Sequence, residues 1–192
     1  MSMTALRLVS TTGMSEQEWL GVRRKGIGGS EIAAIAGLSP FETPLSVYLR
    51  KIGELPDKEE TEAMYWGSVL ENVIAEEYKR RHPEVRVRRV NAVLQHPEVP
   101  YFLANIDREI RMKGAPPMLL EIKTTSAWLR GKWREDIPDH VMCQVQWYMG
   151  ICGYQTAVVA VLIGGQEYRE FEVARDDEII GYLQEIGRRF WE

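Results

Sequence analysis

The longest unbroken apolar stretch of this chain, Ala157 to Ile163, is seven residues long. A helix needs about 20 apolar residues to cross a bilayer, so this stretch reads as a buried strand. Period-two patterns elsewhere supply candidate neighbours: Val85 to Val90, Tyr101 to Met112, Met118 to Thr125 and Glu167 to Val173. Gly114 with Pro116-Pro117, and Gly164-Gly165, mark the turns between pairs of them.

Helical signals flank these strands. Ser15-Glu16-Gln17-Glu18 is a capping box leading into Trp19 and Leu20. A glycine-rich turn, Gly26 to Ser30, precedes a short helix from Glu31 to Ala36, stopped by Gly37. Thr43 and Pro44 fit N-cap and N1 of a helix ending near Gly53. Leu55 to Thr61 is polar and contains proline, so it is a loop. Tyr65, Trp66, Val69, Leu70, Val73, Ile74 and Tyr78 recur at helical spacing. They mark a long helix from Glu62 to Arg81, stopped near His82-Pro83. Two more helices are expected, from Asp139 to Met149 and from about Asp176 to Phe190. This order gives a mixed α/β or α+β fold with a central sheet, in a chain of one-domain length.

Charge narrows the partners. The formal net charge is -4, so a nucleic-acid binder of this composition must gather its cations locally. Arg23-Arg24-Lys25 does so. The run from Lys79 to Arg89 does too, with six basic residues against Glu84 alone. Taken by itself such a run is a solvated face. Two cysteines, Cys143 and Cys152, are too few for a disulfide framework, a cysteine-ligated zinc or a four-cysteine iron–sulfur cluster. They fit a reducing cytoplasm. A basic flank followed by a long apolar run is missing near Met1, so no signal peptide is expected, and no membrane contact. Three scattered histidines, His82, His96 and His140, argue against a histidine-rich metal nuclease; the first two precede proline, a turn position. Met64, Met142 and Met149 read as core fillers. Trp128 and Trp133 fit either packing or DNA contact.

The chemistry centres on Leu120-Glu121-Ile122-Lys123. In a strand, Glu121 and Lys123 share one face while Leu120 and Ile122 point the other way, into the core. A carboxylate that binds a divalent ion, beside an ammonium that orients water or offsets phosphate charge, is one element of a phosphodiester-cutting site. One carboxylate is too few for magnesium. Asp107, on the preceding strand, is the second, brought beside Glu121 by an antiparallel hairpin. A surface ion pair is the alternative reading of this tripeptide.

Further motifs accompany it. Trp19-x-x-x-Arg23-x-x-x-Ile27-Gly28-Gly29-Ser30-Glu31 and Gly37-x-Ser39-Pro40 stand near the start, Trp66-Gly67-x-x-x-Glu71 mid-chain, and Gln144-x-Gln146-x-Tyr148 after the core. Together with Asp107…Glu121-x-Lys123 they resemble the lambda-type (YqaJ-like) phage recombination exonucleases of the PD-(D/E)xK nuclease superfamily, from Trp19 to about Gly150. Two features depart from that pattern. Ile106 stands where the family has proline, and the segment from Asp107 to Glu121 is long.

The resemblance implies a single nuclease domain over residues 1–192, with a central mixed sheet flanked by helices and a restriction-endonuclease-like core. It implies a 5′-to-3′ exonuclease acting on double-stranded DNA ends and releasing 5′-mononucleotides. A single-strand annealing protein would be its partner in recombination, and a homotrimer its assembly. Two magnesium ions are implied, replaceable by manganese, with Asp107, Glu121 and the backbone carbonyl of Ile122 as ligands. Glu71 would stand near the second ion, and Gln144 would hold Lys123 or the nucleophilic water. Arg23 and Ser30 would grip the terminal 5′-phosphate, where Gly28-Gly29-Ser30 opens a helix and frees backbone amides. The rivals are another nuclease of the superfamily, of the Cas4 or RecB kind, and a non-catalytic DNA-end-binding protein.

Overall fold

The computed structural model describes residues 5–192, so the first four residues of the expected domain lie outside it. In chain order the elements are β1 (Leu6–Ser10), α1 (Glu16–Arg23), α2 (Gly29–Ile35), α3 (Pro44–Lys51) and α4 (Glu62–Arg81). Then come β2 (Arg86–Arg89), β3 (Ala92–Gln95), β4 (Leu103–Ala104), β5 (Arg108–Arg111) and β6 (Met118–Thr125). A 3-10 helix (Ala127–Trp133), α5 (Asp139–Cys152), β7 (Thr156–Ile163), β8 (Glu167–Ala174) and α6 (Asp177–Trp191) complete the chain.

The main sheet has the order β2-β5-β6-β7-β8. Only β6 and β7 pair in parallel; the other neighbours are antiparallel. Parallel neighbours cannot be joined by a tight turn, and the chain crosses between them through α5. Both faces of β6 and β7 are therefore covered. On one side Ile74, Ala75 and Tyr78 of α4 pack on Ile110, Leu120, Ile122, Val158 and Ala160. On the other, α5 packs on Leu119, Ala157, Val159 and Val161, with α2 and α6 in the same core. Each fully buried branched side chain here contributes about 1.5–3 kcal/mol of burial. This is the mixed sheet flanked by helices that the sequence implies.

The expected strand from Tyr101 to Met112 is two strands. Leu103–Ala104 pairs with β3 in a small antiparallel sheet of order β1-β3-β4, whereas Arg108–Arg111 belongs to the main sheet. The chain changes sheets between them, which leaves Asp107 at the seam. Phe102 to Ala104 and Ile106 are all buried, so alternation could not reveal the break. The short strands β1 and β3 escaped pattern reading for a similar reason: β1 is largely exposed and four-residue β3 does not alternate.

Helix α4 has its expected bounds, but Tyr65, Trp66, Val69 and Val73 are exposed and only its later turns reach the core. Met64, expected in the core, is exposed at a cavity rim, because the first turns of α4 overhang the sheet. Met149 is buried and Met142 packs against the core. Trp133 is buried against Phe171, while Trp128 is 95% exposed.

Candidate active site

Strand β6 carries Glu121 and Lys123 on the face that looks at α5. Gln144, in the second turn of α5, meets them there. Lys123 Nζ donates to Glu121 Oε1 (2.7 Å) and to Gln144 Oε1 (2.9 Å), and Gln144 Nε2 donates to Glu121 Oε1 (2.8 Å). The triangle is closed, and Gln144 Nε2 also donates to the Tyr148 hydroxyl oxygen (3.1 Å). From the seam, Asp107 Oδ2 accepts the Ile122 backbone N–H (2.8 Å). The antiparallel β5–β6 pairing thus brings Asp107 beside Glu121 as expected.

This corner is electrostatically unfinished. Glu121 is 1% exposed, and its Oε2 has no hydrogen-bond partner. Burial, then the Glu121 charge, push the Asp107 carboxyl well above its ordinary range. Burial also raises Glu121, although Lys123 opposes the shift. Burial would lower Lys123, but the attraction of Glu121 and Asp107 outweighs it and holds the ammonium protonated. A buried carboxylate with an orphan oxygen, Glu121, beside the half-buried Asp107 suits a divalent cation with oxygen ligands. Among the described residues no group of three or more His, Cys, Asp or Glu side chains could hold an ion by itself. A cation here would need backbone or water oxygens as well.

Glu71 reaches the same cavity from α4, yet its carboxylate is already engaged. Arg108 pairs with it, and Arg89 Nη2 donates to its Oε1 (3.2 Å). Sequence reasoning missed Arg108. Its burial comes from the pairing of β2 with β5, which no local pattern announces.

Arg23 and Ser30 line the same cavity, of about 530 Å³, as Asp107, Glu121, Lys123 and Gln144. Arg23 Nη2 donates to Ser30 Oγ (3.1 Å), and its guanidinium lies 4.7 Å above the Trp19 ring. The helix start beside them differs from expectation. It begins at Gly29, and the Gly28 N–H donates to Glu31 Oε2 (2.8 Å), which Lys51 neutralises. That amide is occupied, so Arg23 carries the positive charge of this end. Gly29 is where α2 touches α5: a Cβ there would lie 2.5 Å from Tyr148 Cε1 and 2.9 Å from Gln144 Cγ. His140, T-stacked on Phe41 at 5.6 Å, is pushed down in pKa by burial and then by Lys123, so it favours the neutral form.

Residues 18–155 match the model of the YqaJ-like viral recombinase domain. The chain belongs to that family. This YqaJ-like domain is 44% identical over 188 residues to the uncharacterized protein YqaJ of Bacillus subtilis (strain 168). That match covers 96% of the chain and 58% of the relative, so the chain spans little more than half the relative's length. Its fold is that of an alkaline exonuclease, LHK-Exo, from Laribacter hongkongensis. The TM-score is 0.70 at 20% identity, covering 91% of this chain and 90% of that one. The structure of LHK-Exo with dAMP gives 0.72 at the same identity and coverage. A phage related exonuclease from Haemophilus somnus 129PT gives 0.64 at 11% identity, covering 90% and 94%. At these identities the likeness is one of fold.

Proposed function

We propose that the YqaJ-like domain is a metal-dependent exonuclease that degrades one strand of duplex DNA from its 5′ end, in phage-type recombination. One observation carries the reading: Asp107 and Glu121 share a buried corner with Lys123, and a carboxylate oxygen there has no partner. Asp107, Glu121 and the backbone carbonyl of Ile122 would hold a magnesium or manganese ion. Bound there, the ion supplies a lowered water pKa and charge stabilisation at the phosphoryl group. Lys123, held protonated, offsets charge on the phosphate rather than accepting a proton. Gln144 fixes the ammonium and the Glu121 oxygen at once. A second ion near Glu71 needs that carboxylate released from Arg108 and Arg89. Arg23 and Ser30 bind the terminal 5′-phosphate, which selects one strand and sets the polarity. A cytoplasmic homotrimer working with a single-strand annealing protein completes the reading. No helix among the described residues is long and apolar enough to cross a membrane.

End-labelled duplexes test it. Cutting is expected only with a divalent ion, and faster from 5′-phosphate than from 5′-hydroxyl ends. Arg23→Ala should reduce that preference by roughly ten- to a hundredfold, the worth of one charge-assisted contact. Salt must be held fixed, because phosphate contacts are screened by it. Metal-independent cutting would remove the carboxylate site from this account. A wild-type rate ratio near one would remove the phosphate grip.

Stability offers a second check. Asp107 and Glu121 are easier to protonate folded than unfolded, so their ionisation opposes folding. The metal-free protein should be stabilised by these groups at low pH and lose that contribution as pH rises through their raised values. Magnesium at a hundredfold its Kd should add about 2.7 kcal/mol at neutral pH, or roughly 5–10 °C in Tm. Thermal unfolding in EDTA and in magnesium reads both effects. A Tm indifferent to magnesium would show that these carboxylates hold no ion.

A further inference from the structure

Strands β2 and β5 set two arginines side by side. Arg89 and Arg108 are direct cross-strand partners. Both face α4, because Val87 and Ile110, each two residues away along its strand, pack in the core beneath that helix. Like charges directly opposed across a sheet are destabilising. A single carboxylate, Glu71, serves both. The Arg108 side chain is 4% exposed, and its Nη2 has no hydrogen-bond partner. Leaving a buried charged donor unpaired is costly. A purely structural pair of arginines calls for a second acid at this wall.

A cavity of about 490 Å³ is there, with Asp107 on its wall but in no ion pair with either arginine. Arg89 and Arg108 line it together with Thr11, Thr12, Asn91 and Asn105. Glu71 and Asp107 belong both to this cavity and to the one that holds Arg23 and Ser30. The two cavities therefore meet at Asp107, with an arginine group beyond it on each side. We propose that the second cavity is a phosphodiester subsite for the strand being degraded, on the far side of the cut from the end phosphate. Arg89 is the contacting group, and Arg108 is the buried charge behind it. The Arg89 side chain is 60% exposed, so it can turn from Glu71 to a phosphate. Thr11 and Thr12 add neutral donors of the kind that position a backbone without reading bases. Ligand identity follows from the neighbourhood: a polyanion leaving the carboxylates on this side meets the arginine pair first.

This subsite rests on the nuclease reading, and the test separates the two. Short 5′-phosphorylated duplexes are bound by the protein in calcium and followed by fluorescence anisotropy. Each carries one uncharged methylphosphonate, at the first, second or third linkage from the end. Wild type is expected to lose about tenfold in affinity when the linkage lying in the second cavity is neutral. Arg89→Gln should lose a similar factor on unmodified DNA and become insensitive to that one substitution. Arg23→Ala should stay sensitive to it. Arg108→Lys, which keeps the charge, should bind like wild type. If Arg89→Gln responds to every methylphosphonate as wild type does, the subsite is wrong although wild-type cutting in magnesium stands. If wild type neither cuts in magnesium nor binds DNA in calcium, the nuclease reading falls and the subsite with it.

Discussion

Glu121→Gln is expected to abolish strand cleavage and yet leave a folded, slightly more stable protein. Glutamine keeps the shape, and its amide oxygen can still accept from Lys123 Nζ and Gln144 Nε2, the two donors now on Oε1. The charge is gone, so Asp107 alone faces the cation. Losing that ligand should cost about 4 kcal/mol of transition-state stabilisation, roughly a thousandfold in rate. Without metal, the same change removes an ionised group from a site that is 1% exposed and relieves its repulsion with Asp107. Activity and metal-free Tm should therefore move in opposite directions. Asp107→Asn should lose activity similarly, since an amide oxygen can still accept the Ile122 N–H. A variant that digests duplex DNA near the wild-type rate in magnesium would overturn the assignment of that ligand.

Lys123→Ala should slow the chemical step by about 10²–10³-fold while DNA-end affinity changes little. One ammonium adds little to the total phosphate attraction, but here it is fixed within 2.9 Å of Gln144 and 2.7 Å of Glu121. Its removal also strips Glu121 of its cation and pushes that carboxyl further up. A magnesium titration separates the two consequences. If saturating ion restores the rate, Lys123 acts by keeping Glu121 ionised. If the loss persists at saturation, it acts on the reacting phosphate. Normal cutting at saturating DNA with weak binding would make it a phosphate contact alone.

The legible parts of this molecule were the local ones. Period two across Met118 to Thr125 placed Glu121 and Lys123 on one face, and strand β6 has those bounds. Capping chemistry at Ser15 and Thr43 marked the starts of α1 and α3, because caps act within three residues. The company of Gln144, Arg23 and Ser30 came from motif resemblance; no pattern in the sequence says that α2 lies against α5. Arg108 was illegible for another reason. Its burial depends on the β2–β5 register and on which turn of α4 lies above it, and neither leaves a trace near residue 108. The change of sheet at Asn105 to Asp107 was hidden because Phe102 to Ala104 and Ile106 are all buried, so the chain runs on without a visible break into Arg108–Arg111.

The parallel pairing of β6 with β7 also bears on how the protein is made. When β6 has just been synthesised, Asp107, Glu121 and Lys123 already exist in the chain, but α5 and β7 do not. Without the crossover, Gln144 is missing and the corner lies open to water, where its charges are screened and free to move apart. Non-local pairing of this kind forms late, because the loop must close before its contacts return anything. A partly synthesised chain therefore lacks the closed corner of Glu121, Lys123 and Gln144. The corner closes only with the crossover, so on the proposed nuclease reading a half-made copy would not cut the DNA around it.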